Sequence, residues 1–252
     1  MAILELQGLR KQFGQLVAVD DLDMSLEEGE IRGLIGPNGS GKTTVFNCIT
    51  GFLHPTAGKV VWQGEDITGR SPNVVASKGM ARTFQLTNLF RDITALQNVV
   101  MACHLHTGVG LFGQYLMTKR TKQRDREIEK KSIGILETMG IAEVKDEIAG
   151  ALPHGHQEAL GVAMALATEP KILLLDEPVT GMNPSETNDM MQRIKRLRDT
   201  GITILLVEHD MKAVMSTCET ITVINFGKKI CQGDPAYVCA HPEVIEAYLG
   251  GS

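Results

Sequence analysis

The sequence predicts an α/β protein, a mostly parallel sheet covered by helices on both faces, with a helical stretch inserted in its middle. Three observations carry this. The short continuous apolar run at 172–175 reads as a strand buried on both faces, 203–207 as a second buried strand, and 31–35 as a strand ahead of a glycine-rich loop. Helical periodicities alternate with these runs, the pattern of parallel strands joined by crossover helices. From about Asp92 to Gly140 the strand pattern disappears.

In chain order, Ile3 to Leu6 alternates like a strand, and 31–35 leads straight into a glycine-rich loop. A helix is expected over 42–52, and Val60 to Trp62 reads as a further strand. Ile93 to Thr118 contains no Lys, Arg, Asp or Glu, long enough for a membrane span of about 20 residues. Gln97, Asn98, His104, His106 and Gln114 interrupt it, so an amphipathic or partly buried helix with a glycine-rich exit is expected instead. The charged run Thr118 to Lys131 enters a helix with Ile133, Leu136 and Met139 on one face, and Gly140 is its expected stop. After the run at 172–175, Pro184 opens a helix reaching Arg198, with proline where a first turn tolerates it. Strands at 221–224 and 229–231 around Gly227, then a helix over 243–249, close the chain.

With 252 residues the chain is near the upper limit for one core, so one domain with a subdomain is expected. The net charge of −5 argues against nucleic acid as the main ligand. Five scattered cysteines without a C-x-x-C pair fit reduced thiols in a cytosolic protein. The charged N-terminus lacks the apolar centre of a secretory signal.

Chemistry concentrates at three places. Gly36-Pro37-Asn38-Gly39-Ser40-Gly41-Lys42-Thr43 matches the phosphate-binding loop pattern G-x-x-x-x-G-K-[ST] between a strand and a helix. Its glycines let backbone N–H groups converge on phosphate oxygens at a helix N-terminus, where the dipole favours an anion. Lys42 is expected to reach the β- and γ-phosphates, and the Thr43 hydroxyl to bind Mg²⁺. Second, the apolar run at 172–175 ends in Asp176-Glu177: Asp176 suits a Mg²⁺ site, and Glu177 suits polarisation of an attacking water. Third, Val207-Glu208-His209-Asp210 follows the next buried strand, and His209 is expected to present its imidazole beside the γ-phosphate.

These motifs, with Gln85 in Arg82-Thr83-Phe84-Gln85, resemble the ATP-binding-cassette (ABC) ATPases in order and spacing over nearly the whole chain. Gly181 to Pro184, Val207 to Met211 and Ile245 to Gly250 resemble the branched-chain amino-acid importer branch, which also includes carriers of urea, amides and small aromatic acids. The resemblance implies a P-loop NTPase core (1–87 and 160–252), an N-terminal antiparallel β subdomain and an inserted α-helical subdomain (88–159). It implies that Gln85 senses Mg²⁺ and the γ-phosphate, that Phe13 stacks on adenine, and that Thr44 joins the nucleotide-binding loop. Asn183 falls where many relatives carry Asp, in a loop crossing the dimer interface. The implied cofactors are ATP and Mg²⁺. The implied partners are transmembrane permease subunits, a second ABC ATPase subunit (homodimer or paralogous heterodimer) and, indirectly, a periplasmic or extracellular solute-binding protein. The implied location is the cytoplasmic face of the plasma membrane. Leu86, Leu89 and Phe90 are candidates for the groove that receives permease helices, or for internal packing.

The family signature, usually L-S-G-G-Q and in the closer branch L-P-Y-G-Q-Q-R, is here Leu152-Pro153-His154-Gly155-His156-Gln157-Glu158-Ala159. Two histidines replace Tyr and Gln, and Glu158-Ala159 replaces two basic residues. The segment still opens a helix whose N–H groups can meet a phosphate in trans, and Gly155 permits close backbone approach. His154 and His156 lack a third ligand of matching spacing for a metal. Two other readings compete. A non-transport cassette ATPase of DNA repair or translation would carry a long coiled-coil insert or a second cassette. A phosphate-loop kinase would need an acceptor-binding lid and would not need Gln85, the Leu152 segment and His209 in series.

Overall fold

The computed structural model describes residues 2–83, 89–106 and 119–249. The strands are β1 (Ala2–Phe13), β2 (Leu16–Glu27), β3 (Ile31–Ile35), β4 (Ala57–Trp62), β5 (Glu65–Asp66), β6 (Met80–Arg82), β7 (Ile172–Asp176), β8 (Thr203–Val207), β9 (Thr220–Asn225) and β10 (Lys228–Gly233). The helices are α1 (Lys42–Ile49), α2 (Pro72–Ser77), α3 (Ala95–His106), α4 (Lys119–Thr138), α5 (His154–Leu166), α6 (Pro184–Asp199), α7 (Met211–Thr217), α8 (Pro235–Ala240) and α9 (Pro242–Leu249). The chain forms two compact units: Met1–Arg82 with Lys171–Glu177 and Arg198–Ser252, and Thr83–Pro170 with Pro178–Leu197.

The first unit holds two sheets. One has the order β10-β9-β3-β8-β7-β6. Its strands β9, β3, β8, β7 and β6 pair in parallel, and β10 adds an antiparallel edge. Every residue of β3, β7 and β8 is buried, as strands covered on both faces require; the charged Arg32 of β3 is paired with Glu30 at 3.0 Å. The other sheet is antiparallel, in the order β2-β1-β4-β5, and supplies the expected N-terminal β subdomain. Leu4, Leu6 and Leu9 from β1, Leu22 and Leu26 from β2 and Trp62 from β4 share one apolar cluster with Val45, Phe46 and Ile49 of α1. Phe46 is wholly buried there, so truncation to Ala would cost about 3–5 kcal/mol.

Helix α1 stops at Ile49, three residues short of the reading from sequence. Thr50 Oγ1 turns back to donate to Phe46 O at 2.7 Å, and Gly51 then takes a left-handed turn at φ 77°. The strand and helix limits at 31–35, 203–207 and 184–199 lie within one residue of the sequence reading.

The second unit is helical. Ala95, Val99 and Cys103 of α3, Ile128 and Leu136 of α4, and Ala159, Leu160 and Ala163 of α5 are buried. Asn98, fully buried in α3, accepts from Phe90 N at 2.8 Å and donates to Phe90 O and Thr94 O, both at 3.0 Å. That closes the polar groups of the chain entering α3. Gly140 ends the helical run in a left-handed conformation, as expected. Residues 107–118, the glycine-rich exit, lie outside the described residues. No helix among the described residues is long and apolar enough to cross a membrane.

Candidate nucleotide-binding and hydrolysis site

The 36–43 loop joins β3 to α1 at the carboxyl end of the parallel strands, where open α/β sheets bind ligands. Two of its glycines are demanded by the fold itself. A Cβ on Gly36 would lie 2.0 Å from Ile224 O and 2.6 Å from Ser40 Oγ. Gly41 caps α1 at φ 107°, where a Cβ would lie 2.4 Å from Ala18 O. The loop therefore threads between β9 and β2 at a distance that only a bare backbone allows.

Lys42 is buried, and its Nζ donates to Gly36 O at 2.7 Å and Pro37 O at 3.0 Å. Burial pushes its ammonium below the ordinary lysine value, while Glu177 and Asp176 pull it back up. The Ser40 hydroxyl is 2% exposed and has no hydrogen-bond partner among the described residues. An orphaned buried hydroxyl next to converging backbone N–H groups fits a phosphate oxygen as its missing partner. Asn38, Gly39 and Thr43 are exposed, and Pro37 and Thr44 are half-buried.

Asp176 ends β7 and Glu177 follows in a left-handed conformation, φ 51°, unusual for a residue with a side chain. The Glu177 N–H still donates to Val207 O at 2.9 Å, which ties the bend to the end of β8. Strain of this kind concentrates at functional sites. His209 lies just beyond β8, with Nδ1 at 3.5 Å from Glu177 Oε2 and 3.7 Å from Glu208 Oε2. One imidazole nitrogen thus faces two carboxylates, one of them wholly buried, while the ring itself is 55% exposed. Asp210 then caps α7 by accepting from Ala213 N at 3.1 Å.

Phe13 ends β1 as an exposed ring rather than a core residue, and Lys11 Nζ lies 5.0 Å from its centroid. Gln85 lies outside the described residues, as does Leu86. The first unit thus assembles 36–44, Asp176, Glu177 and His209.

The signature segment belongs to the second unit, and its internal contacts are open ones. Pro153 precedes α5 and makes no side-chain cap, while Pro153 O accepts from the N–H groups of His156 and Gln157, both at 3.0 Å. His154 Nε2 lies 2.9 Å from Thr180 O, His156 Nε2 lies 3.6 Å from Glu143 Oε1, and Gln157 Nε2 donates to Leu152 O at 2.8 Å. Asn183 caps α6: its Oδ1 accepts from Ser185 N and Glu186 N, and Glu186 Oε2 accepts from Asn183 N at 2.9 Å. That reciprocal box is a structural reason for Asn183 that sequence reading overlooked, although N-P-S-E spells it.

Sequence reading also missed the surroundings of Asp176. Arg82 Nη2 sits 2.7 Å from Asp176 Oδ2, and Arg82 Nη1 donates to Asn47 Oδ1 at 2.6 Å. An arginine at the end of a three-residue strand gives no sign in the sequence that it will be buried, so only the register of β6 on β7 reveals the pair.

The family model described as "ABC transporter" matches residues 19–180, and that described as "Branched-chain amino acid ATP-binding cassette transporter" matches 228–252. The chain is 42% identical over 249 residues to the high-affinity branched-chain amino acid transport ATP-binding protein BraF of Pseudomonas aeruginosa, covering 98% of each. It is 41% identical to the LivG protein of the same description from Escherichia coli (strain K12), again over 98% of each. Among solved structures, an ATP-binding cassette of an ABC transporter in its ADP conformation superposes with a TM-score of 0.86 at 31% identity, covering 99% of both chains. A nucleotide-free cassette gives 0.85 at 30%, covering 99% of this chain and 100% of that one. With a family model spanning 19–180 and relatives above 40% identity end to end, the chain belongs to the ABC transporter family as one of its ATP-binding cassettes.

Proposed function

We propose that the chain is the ATP-hydrolysing subunit of an importer for branched-chain amino acids or a related small solute, acting through separate permease subunits. The observation that carries this reading is the joint presence, at one end of one sheet, of the glycine-threaded loop with Lys42 and the bent Asp176-Glu177 corner facing His209.

The triphosphate lies along 36–44, received by loop N–H groups, the Ser40 and Thr44 hydroxyls and Lys42. The adenine stacks on Phe13. Lys42 exchanges its two carbonyl partners for phosphate oxygens, a gain because its buried ammonium is underpaired in charge. Glu177 orients a water and takes its proton as the water attacks the γ-phosphorus, and ADP leaves. His209 donates to the γ-phosphate and is held in place by Glu177 and Glu208. Thr43 and Asp176 offer hydroxyl and carboxylate oxygens, the hard donors that suit Mg²⁺, with Gln85 as a further ligand and sensor. A Mg²⁺ ion held by these residues would supply charge neutralisation to the phosphates.

In this reading 153–157 meets the γ-phosphate of a second ATPase subunit, identical or paralogous. Closure of that pair drives permease chains docked on the helical subdomain, 88–159, at the cytoplasmic face of the plasma membrane. Leu89 and Phe90 contribute to the docking groove. A solute-binding protein on the far side delivers the solute, and nucleic acid has no part. The test is reconstitution with the permease chains and binding protein in vesicles. Leucine uptake should require internal ATP and vanish with Glu177→Gln; uptake that survives this substitution would contradict the reading. Comparing the homodimer with a paralogous pair for ATP hydrolysis separates the two assemblies, because equal activity rules out the need for a paralogue.

A further inference from the structure

We propose that Arg82 is a positioning residue for Asp176, and that Asn47 aligns its guanidinium so that two of the expected metal ligands, Asp176 and Thr43, are held in one frame. This rests on the reading of Asp176 and Thr43 as the Mg²⁺ ligands given above.

The two terminal nitrogens of the guanidinium each meet a different acceptor. Strand β6 pairs with β7 with Arg82 opposite Leu174, two residues before Asp176. One arm of the guanidinium meets the carboxylate at 2.7 Å and the other the Asn47 amide oxygen at 2.6 Å. The plane lies against Phe46, with Cζ 5.5 Å from the ring centroid. The Arg82 and Asp176 side chains are only 9% and 5% exposed. Asn47 is four residues after Thr43 in α1, so the two lie on one helix face, one turn apart.

Three properties follow from arginine rather than from any cation. Its planar, delocalised guanidinium matches the shape of a carboxylate and can face it squarely. Its rigid fork fixes a direction as well as a charge. With two different acceptors on one fork, a movement of α1 and a movement of the β7 end become the same movement. A lysine could satisfy one acceptor at a time and would lose that coupling. Arg82 also stands three residues before Gln85 in the sequence, at the end of β6, the strand that pairs with the β7 of Asp176.

The test uses Mg²⁺ and ADP as probes on the full chain, with Arg82→Lys and Asn47→Ala. ADP affinity is measured by calorimetry in EDTA and over a Mg²⁺ series, with thermal melting alongside. Both variants should bind ADP in EDTA within about threefold of wild type, while the Mg²⁺ concentration for half-maximal tightening rises by about 10–100-fold, the range for loss of a group that orients a metal ligand. Asn47→Ala keeps the ion pair, so it remains informative even if Arg82→Lys does not fold. Lowered melting with an unchanged Mg²⁺ midpoint would make the pair merely structural and overturn the inference. If wild type itself shows no Mg²⁺-dependent tightening, the assignment of Asp176 as metal ligand fails, and the inference with it.

Discussion

The phosphate loop and the signature segment are both glycine-bearing helix N-termini, yet they depend on glycine for opposite reasons. At Gly36 and Gly41 the protein's own backbone occupies the space a Cβ would need, at 2.0 and 2.4 Å. At Gly155 the nearest atoms to an added Cβ belong to Glu186 at 3.7 Å, ordinary van der Waals distance, and no left-handed φ is present. The fold of this chain does not ask for glycine at 155. A glycine that the fold does not need points to something arriving from outside, which is how a segment acting in trans should look. The same contrast extends to the side chains. The two substituted positions, His154 and His156, make contacts of their own within the second unit, whereas Lys42 is buried under its loop.

Alanine at the two positions gives the widest separation. Gly36→Ala forces backbone apart and should lower stability by about 3 kcal/mol, with nucleotide binding lost; calorimetric melting and ADP titration read both. Gly155→Ala should leave melting unchanged or slightly raised, since alanine is favoured over glycine inside a helix by about 1 kcal/mol. Its ATPase activity should nonetheless fall about tenfold or more, because the close approach is spoiled. Full activity in Gly155→Ala would break the comparison.

A smaller effect belongs to Asn183. Removing its capping box with Asn183→Ala should cost about 1 kcal/mol, seen as a lowered melting temperature. The smallest concerns α9. The Tyr248 hydroxyl is buried, and burial raises its pKa to about 12 even though the Gly36 backbone beside it pulls the other way. An acid whose folded pKa exceeds its ordinary value of about 10 releases its proton more readily when unfolded. Its stabilising share is therefore whole below pH 10 and is lost as pH climbs toward 12. Tyr248→Phe should flatten that alkaline fall relative to wild type in pH-dependent melting.

How far the molecule could be read in advance depended on whether the signal was local. Strands β7 and β8 are mostly apolar runs, and β3 leads straight into the phosphate loop, a contiguous word, so these were legible. Strand β2 was not. Its sequence carries Asp20, Asp21 and Asp23, its register on β1 is broken by bulges, and Asp21 takes a positive φ, so the alternation that marks a strand is blurred. Short α7 and α8 were missed because each is built from an aspartate cap and a single turn or two, too brief for periodicity. In the candidate site, Asp176, Glu177 and His209 were readable as strand ends. Arg82, Asn47 and Tyr248 were not, because each matters through a neighbour brought close only by folding: Asp176 lies 94 residues from Arg82.

The central claim is that the phosphate loop of one subunit hydrolyses ATP only against the signature of another. Steady-state MgATP hydrolysis by the purified chain, measured against its own concentration with Glu177→Gln alongside, tests it most directly. Specific activity should rise with concentration in wild type and stay at background in the variant. A specific activity independent of concentration, or one untouched by Glu177→Gln, would contradict it.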